Sequence, residues 1–173
     1  MSKTQFKKEI AAMDREQLVG LLLEAYEARK ETKEYFEFFL NPDVEALTEK
    51  FRKKIAKEFA REKRRYCRAR ISNVKGAIRD FASFQPGDEH VLDLYLWTVR
   101  HAMAVEKRID FPETLIKSLA SLLSAALAFA DKALLADRAV SAVESLLSDT
   151  AAGTIYMRRT LSDNLVMPAV GLK

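Results

Sequence analysis

The residues best suited to binding a charged ligand lie between Lys50 and Arg70, where eleven side chains are Lys or Arg and two are Glu. This basic segment carries a net charge of +9 in a chain of net charge +4, so the rest of the chain carries −5. Guanidinium and ammonium groups form strong hydrogen bonds with phosphates and carboxylates. The segment therefore indicates contact with anions, unless its charges are only solvated.

On one continuous helix, at about 100° per residue, six of these cations fall on one face. This predicted basic stripe consists of Lys50, Lys54, Lys57, Arg61, Arg64 and Arg68. An apolar stripe of Phe51, Ile55 and Phe59 lies about a quarter turn away and is suited to packing on a core. We therefore predict a helix with one buried face beside one basic face. Two alternatives stay open for its end: the helix continues straight through "REKRRYCRAR", or it breaks near Arg64.

Three interpretations of the basic stripe stay open. Its cations are solvated or pair with acidic neighbours, or they neutralise nucleic-acid phosphates while Tyr66 stacks on a base. In the third interpretation the stripe binds an acidic protein or an anionic lipid. Lipid is the weaker candidate of these two, because the apolar face of the helix is committed to the core. The acidic neighbours considered are Glu24, Glu27, Glu31 and Glu34.

Few residues suggest catalysis. Cys67 lies between Arg65 and Arg68, whose charge would favour a reactive thiolate if the thiol were exposed. His90 and His101 are separated by about 16 Å along one predicted helix, so they cannot share a metal ion. We find no phosphate-binding loop, zinc motif or nucleophile elbow, and we predict no catalytic residue, cofactor or metal.

The elements that position these residues are predicted to be helices. Five Gly and four Pro are few for 173 residues, and no segment alternates apolar and polar residues with period two. We predict an all-α fold with no sheet. It is expected to be a single domain, residues 1–173, of about seven or eight helices in a bundle or in stacked antiparallel helical hairpins resembling an α-α superhelix.

Within that domain, residues 2–65 should form the N-terminal helices and end in the basic helix, and residues 71–165 should form Ala/Leu-rich hairpins. Ser2 and Asp14 are predicted N-caps, with Gln17 completing a capping box. Asn41 is predicted to cap the next helix. The uncharged run Ser118–Ala130 is shorter than the about 20 residues that a membrane span needs, so it predicts a buried core helix.

The sequence "KEYFEFF" raises a separate question, because Tyr35, Phe36, Phe38 and Phe39 present more aromatic surface than one narrow stripe holds. The favoured interpretation is a helix wedged between two neighbours. The alternative is an exposed aromatic patch that receives a partner.

The stretch "MSKTQFKKEIAAMDREQLVGLLLEAYEARKETKEYFEFFLNPD", followed by a Lys-rich helix and "KRR", resembles a family of uncharacterised bacterial helical proteins. The resemblance is strongest over residues 2–65, especially in "KEYFEFFLNP". It implies an all-α fold and a bacterial cytosolic setting, and it supplies no activity and no site residues.

From the residues and this resemblance together we expect a cytoplasmic, non-enzymatic helical binding or scaffolding module. Its expected partner is another protein or a second copy of itself, with no membrane contact. The alternative is a nucleic-acid-associated protein that binds the phosphate backbone through the basic stripe.

Overall fold

The computed structural model describes residues 1–63 and 65–166, and these ranges contain nine helices and one short β-hairpin. The all-α prediction is confirmed, and the expected number of helices was too low. The predicted absence of any sheet is wrong at the hairpin, which has two residues in each strand. The elements are α1 Lys3–Ala11, α2 Arg15–Ala28, α3 Lys30–Leu40, α4 Val44–Phe59, β1 Glu62–Lys63, β2 Tyr66–Cys67, α5 Ile71–Ser83, α6 Asp88–Glu106, α7 Glu113–Lys132, α8 Ala136–Ser148 and α9 Ile155–Asn164.

The chain forms two compact units, an N-terminal unit of residues 1–43 and a C-terminal unit that begins at Val44. The single domain expected over residues 1–173 stays a prediction.

The N-terminal unit begins with the predicted caps. The Ser2 hydroxyl accepts from the Gln5 N–H at 3.2 Å. Asp14 Oδ1 accepts from the Gln17 N–H at 2.8 Å, and Gln17 Oε1 accepts from the Asp14 N–H at 3.1 Å. This reciprocal capping box fixes the start of α2.

The prediction that Asn41 caps the next helix is wrong. Asn41 instead ends the preceding helix, α3. Its N–H donates to the Glu37 carbonyl at 3.0 Å, and it is the C-cap of α3. Because Pro42 restricts the preceding residue to extended backbone, α3 cannot continue through Asn41. The next helix, α4, therefore begins only at Val44.

The core of the C-terminal unit is built around α6 and α7. Helix α7 packs against α5, α6, α8 and α9, and α6 packs against α4, α5, α7 and α8. Nine residues of α7 and eight residues of α6 are buried. The predicted buried helix at Ser118–Ala130 is confirmed as part of α7. By length and composition alone α7 is also apolar enough to cross a membrane, a test that buried core helices pass as well.

The predicted basic helix is shorter than expected, because α4 ends at Phe59 and a hairpin follows. The apolar stripe continues only as far as Phe59, since Glu62 and Lys63 occupy the next positions at spacings of three and four. A helix extended past Phe59 would gain no apolar burial and would gather like charges on neighbouring turns. The hairpin instead buries Cys67, which is 2% exposed.

Candidate functional site

The break after Phe59 divides the predicted basic stripe. Lys50, Lys54 and Lys57 lie on α4, Arg61 precedes β1, and Arg68 follows β2. Arg64 lies outside the described residues. The prediction that all six cations share one helical face is therefore wrong, because Arg61 and Arg68 come after α4 ends at Phe59.

The hairpin is held in place by backbone hydrogen bonds to the segment after α6. The Cys67 N–H donates to the Asp110 carbonyl at 3.0 Å, and the Asp110 N–H donates to the Arg65 carbonyl at 3.0 Å. Arg65 has a φ of +67°, in the left-handed region that tight hairpin turns require. These bonds replace the helical bonds that an extended α4 would have made.

Several cations of the basic segment are paired with carboxylates. Lys54 Nζ lies 3.0 Å from Asp80, and the Arg61 guanidinium lies 3.3 Å from Glu58. Burial raises the pKa of Glu58, but hydrogen bonds from the Asn73 side chain and the Arg70 N–H, with the charge of Arg61, lower it overall.

Other cations of the basic segment are exposed. Lys57, Lys63 and Arg68 have no acidic partner within the part of the chain that the structure describes. Tyr66 is 49% exposed beside them on the hairpin. Pairing of Lys54 and Arg61 with carboxylates thus reduces the positive charge of the predicted stripe, whereas Lys57, Lys63 and Arg68 keep theirs uncompensated by an ion pair among the described residues.

The thiol of Cys67 is buried. Its Sγ donates to the Phe59 carbonyl at 3.6 Å, and burial raises the pKa of the thiol despite a hydrogen bond from the Ala69 backbone. The alternative of an exposed thiolate is contradicted. Cys67 anchors the hairpin to the end of α4.

The two histidines have different surroundings. His90 is exposed near the start of α6, whereas His101 is half-buried and stacks on Trp97 with 4.9 Å between ring centroids. Burial lowers the pKa of His101, and the nearby charge of Arg108 lowers it further. His101 is therefore a neutral packing residue near pH 7.

An apolar concave surface lies in the N-terminal unit, and we call it the N-terminal groove. It has a volume of about 500 Å³. Helix α2 supplies one side and α3 the other. Leu23 is 58% exposed, Phe39 is 67% exposed and Leu40 is 78% exposed. The lining residues are Val19, Leu22, Leu23, Tyr26, Phe36, Glu37, Phe39 and Leu40.

The groove exists because α2 is apolar over more than one face. Leu18, Leu22 and Ala25 form one row, and Val19, Leu23 and Tyr26 form the next. A single neighbouring helix cannot cover so wide an apolar arc. Of the described residues in α1, α2 and α3, none is buried.

The aromatic residues of α3 overturn the favoured prediction of a helix wedged between two neighbours. Tyr35 and Phe39 are exposed and stack on each other at 6.5 Å between centroids, while Phe36 and Phe38 are only half-buried. The structure has the exposed aromatic patch that was the alternative.

Two polar contacts set the groove's geometry and charge. The Tyr26 hydroxyl donates to Glu37 at 3.2 Å, which joins α2 to α3, and Lys33 lies 3.9 Å from the same carboxylate. Glu16 lies one helical turn before the lining residue Val19, and Glu27 lies one turn after the lining residue Leu23. Residues 14–43 contain eight acidic and four basic side chains, so this segment has an acidic balance.

A family model covers most of the chain, residues 1–155, and includes both the groove and the basic segment. The chain belongs to DUF6155, a family of unknown function. The expected membership of a family of unknown function is confirmed. No curated protein and no solved structure matches this DUF6155 chain.

The sequence predictions located only the α3 side of the groove of this DUF6155 protein. The crowded aromatic residues of α3 were recognised, and an exposed patch that receives a partner was the alternative interpretation. The apolar residues of α2 were not recognised as part of a site, although their two adjoining rows exceed what one neighbouring helix can bury.

Proposed function

We propose that this DUF6155 protein is a non-enzymatic cytosolic binding module whose N-terminal groove receives an amphipathic helix with basic flanks. The observation that carries the proposal is the exposure of large apolar side chains on both sides of the groove, with Leu23, Phe39 and Leu40 each more than half exposed. Contiguous apolar surface of this kind is typical of interaction sites. Covering it would be favourable by about 25 cal/mol per Å² of apolar area.

A helix is the occupant that fits the shape. The groove runs between two packed helices, and a third helix placed there would present apolar residues at spacings of three and four to both sides. Such a partner would complete a three-helix layer. Each apolar row of α2 would then have its own neighbour.

The charge of the segment that forms the groove favours a basic partner. Glu37 lines the groove, Glu16 and Glu27 lie one helical turn from its lining residues on α2, and residues 14–43 have four more acidic than basic side chains. Lys or Arg flanking the apolar face of a bound helix would meet these carboxylates. A second copy of the same acidic pair of helices would meet them with like charge, which is unfavourable.

The proposal is tested with two labelled amphipathic peptides that share one leucine pattern and differ only in Lys or Glu flanks. We expect fluorescence anisotropy to give a dissociation constant of the order of 10 μM for the Lys peptide and much weaker binding for the Glu peptide. Leu23→Gln with Leu40→Gln should weaken the Lys peptide at least about tenfold. Ile155→Gln is the matched control, because Ile155 is 77% exposed on α9.

Two results would refute the proposal. One is equal binding of the Lys peptide to the groove variant and to the control variant. The other is a homodimer in sedimentation velocity that dissociates in the groove variant, since the occupant would then be a second copy of this chain.

Nucleic acid is the second candidate ligand, supported by the exposed hairpin cations Lys63 and Arg68 beside Tyr66 and by Lys57 on α4. Arg contacts phosphates in a bidentate manner, and an exposed Tyr provides a stacking surface for a base. Because Lys54 and Arg61 are paired with carboxylates, fewer cations are available to bind phosphates.

This second function predicts binding of labelled single-stranded DNA that falls steeply between low and physiological salt. Changing Lys57, Lys63 and Arg68 to Gln should abolish it. The control changes Lys117, Lys132 and Arg159 to Gln, which removes the same charge elsewhere. Equal losses in the two triple variants would mean that only net charge matters and would exclude a hairpin site.

A further inference from the structure

A second concave surface crosses α6 in the C-terminal unit and is chemically unlike the N-terminal groove. This arginine cleft has a volume of about 600 Å³, within the range of small-molecule sites. Helix α8 forms one wall and Arg52 of α4 reaches in from the other side. Its polar and aromatic lining includes Arg52, Asp93, Trp97, Arg100, Arg138 and Ser145.

The sequence brings these side chains together by helical spacing. Asp93, Trp97 and Arg100 are four and three residues apart on α6, so they share one face. Arg138, Ser141 and Ser145 are three and four residues apart on α8 and share the facing side. Two helix faces thus present charged, hydroxyl and aromatic groups to one space.

Arg138 is already committed to acidic side chains. Its guanidinium lies 2.7 Å from Asp93 and 3.2 Å from Glu89, both on α6. These two ion pairs join α8 to α6, and the charge of Arg138 offsets part of the negative charge of Asp93 and Glu89. Arg138 therefore shapes the cleft and does not supply its free charge.

Arg52 and Arg100 differ from Arg138, because neither has an acidic partner among the described residues. The Arg52 guanidinium lies over the Trp97 ring, 5.4 Å from its centroid, and Trp97 also stacks on His101. The Arg52 Nε atom is buried and has no hydrogen-bond partner in the described part of the chain. A buried donor of this kind is costly unless a ligand or water satisfies it.

We propose that the arginine cleft binds a small phosphate monoester with an apolar body, its dianionic phosphate held between Arg52 and Arg100. Two guanidiniums without acidic partners match a dianion in charge, and their planar forks match phosphate oxygens in geometry. The Ser141 and Ser145 hydroxyls add donors. Leu96 and Leu146, which also line the cleft, provide a surface for the apolar body.

The test uses phenyl phosphate, inorganic phosphate and phenol as probes at constant ionic strength. Binding is followed by isothermal titration calorimetry and by the fluorescence of Trp97, the one tryptophan of the chain. We expect saturable binding of phenyl phosphate with a dissociation constant below about 1 mM, weaker binding of inorganic phosphate, and no saturable binding of phenol.

Variants identify the site. Arg100→Gln should weaken phenyl phosphate at least about tenfold, and Arg52→Lys should also weaken it, because it keeps the charge but loses the fork. Arg79→Gln, an exposed change on α5, should bind as the parent protein does. Thermal unfolding by circular dichroism checks that each variant is folded.

The proposal is overturned if neither calorimetry nor fluorescence detects saturable phenyl phosphate binding to the parent protein. It is also overturned if folded Arg100→Gln and Arg52→Lys both bind like Arg79→Gln.

Discussion

The two units of this chain differ in how far they bury a helix with a wide apolar surface. In the C-terminal unit, α7 is apolar on most sides and packs against four other helices, which bury nine of its residues. In the N-terminal unit, α2 also carries two adjoining apolar rows, but none of its described residues is buried. A wide apolar arc therefore becomes core where several neighbours surround it and an open groove where they do not.

This comparison predicts different energetic roles for the same residue type. An apolar side chain of the C-terminal unit stabilises the fold through burial and close packing. An equivalent side chain in the N-terminal groove contributes little to folding and is available for binding.

Two leucine-to-alanine changes test the comparison most strongly. Leu123 is fully buried on α7, so Leu123→Ala should lower the free energy of unfolding by about 2–5 kcal/mol, through lost burial and the cavity left behind. Leu23 is 58% exposed, so Leu23→Ala should change the free energy of unfolding by less than about 0.5 kcal/mol.

Denaturant unfolding followed by both far-UV circular dichroism and Trp97 fluorescence measures the two changes. A loss for Leu23→Ala as large as that for Leu123→Ala would mean that the groove is part of a folding core and would remove the basis of the binding proposal.

A glycine in each unit gives a second contrast. Gly153 has a φ of +67°, and a Cβ there would lie 3.2 Å from Met103 Cβ. Gly153→Ala should therefore destabilise the protein by about 1–2 kcal/mol. Gly20 lies inside α2 with nothing within 4 Å of an added Cβ, so Gly20→Ala should stabilise it by up to about 1 kcal/mol.

Thermal unfolding of the two glycine variants tests these signs. Destabilisation by Gly20→Ala would show that α2 is closely covered at that position. A neutral Gly153→Ala would show that the turn before α9 is not closely packed on Met103.

A smaller effect concerns the pH dependence of stability. Both histidines of the chain lie in the C-terminal unit. The pKa of His101 is lowered in the folded protein by burial and by Arg108, so below the ordinary value of 6.5 the unfolded chain binds a proton that the folded chain does not. The stability that neutral His101 contributes is present above pH 6.5 and is lost as the pH falls through the folded pKa.

Denaturant unfolding between pH 7 and pH 5 should therefore show a shallower loss of stability in His101→Gln than in the parent protein. His90→Gln is the control, because His90 is exposed. Identical pH dependence in the parent protein and in His101→Gln would contradict this role.

Much of the fold could be predicted from local sequence. The Ser2 and Asp14 caps, the break at Pro42 and the buried run in α7 are encoded in short stretches, because capping and helix periodicity are local properties. The end of α4 was mispredicted, although its apolar stripe visibly ends at Phe59. The reason is that the hairpin depends on hydrogen bonds between Cys67 and the distant Asp110.

The candidate sites were harder to predict for the same reason. The arginine cleft combines Arg52, Arg100 and Arg138, which come from three helices far apart in sequence. The groove is formed by α2 and α3 alone, which are adjacent in sequence. Whether their apolar residues are exposed depends, however, on how many other helices pack against them. That number is a property of the whole unit and not of a short stretch.

The central claim is that the N-terminal groove accepts a basic amphipathic helix. Hydrogen–deuterium exchange of the full chain, with and without the Lys-flanked peptide, tests it most directly. We expect slower exchange of backbone amides in residues 15–40 when the peptide is added, and unchanged exchange in α6 and α7. Unchanged exchange in residues 15–40 at saturating peptide, or slowing confined to the C-terminal unit, would contradict it.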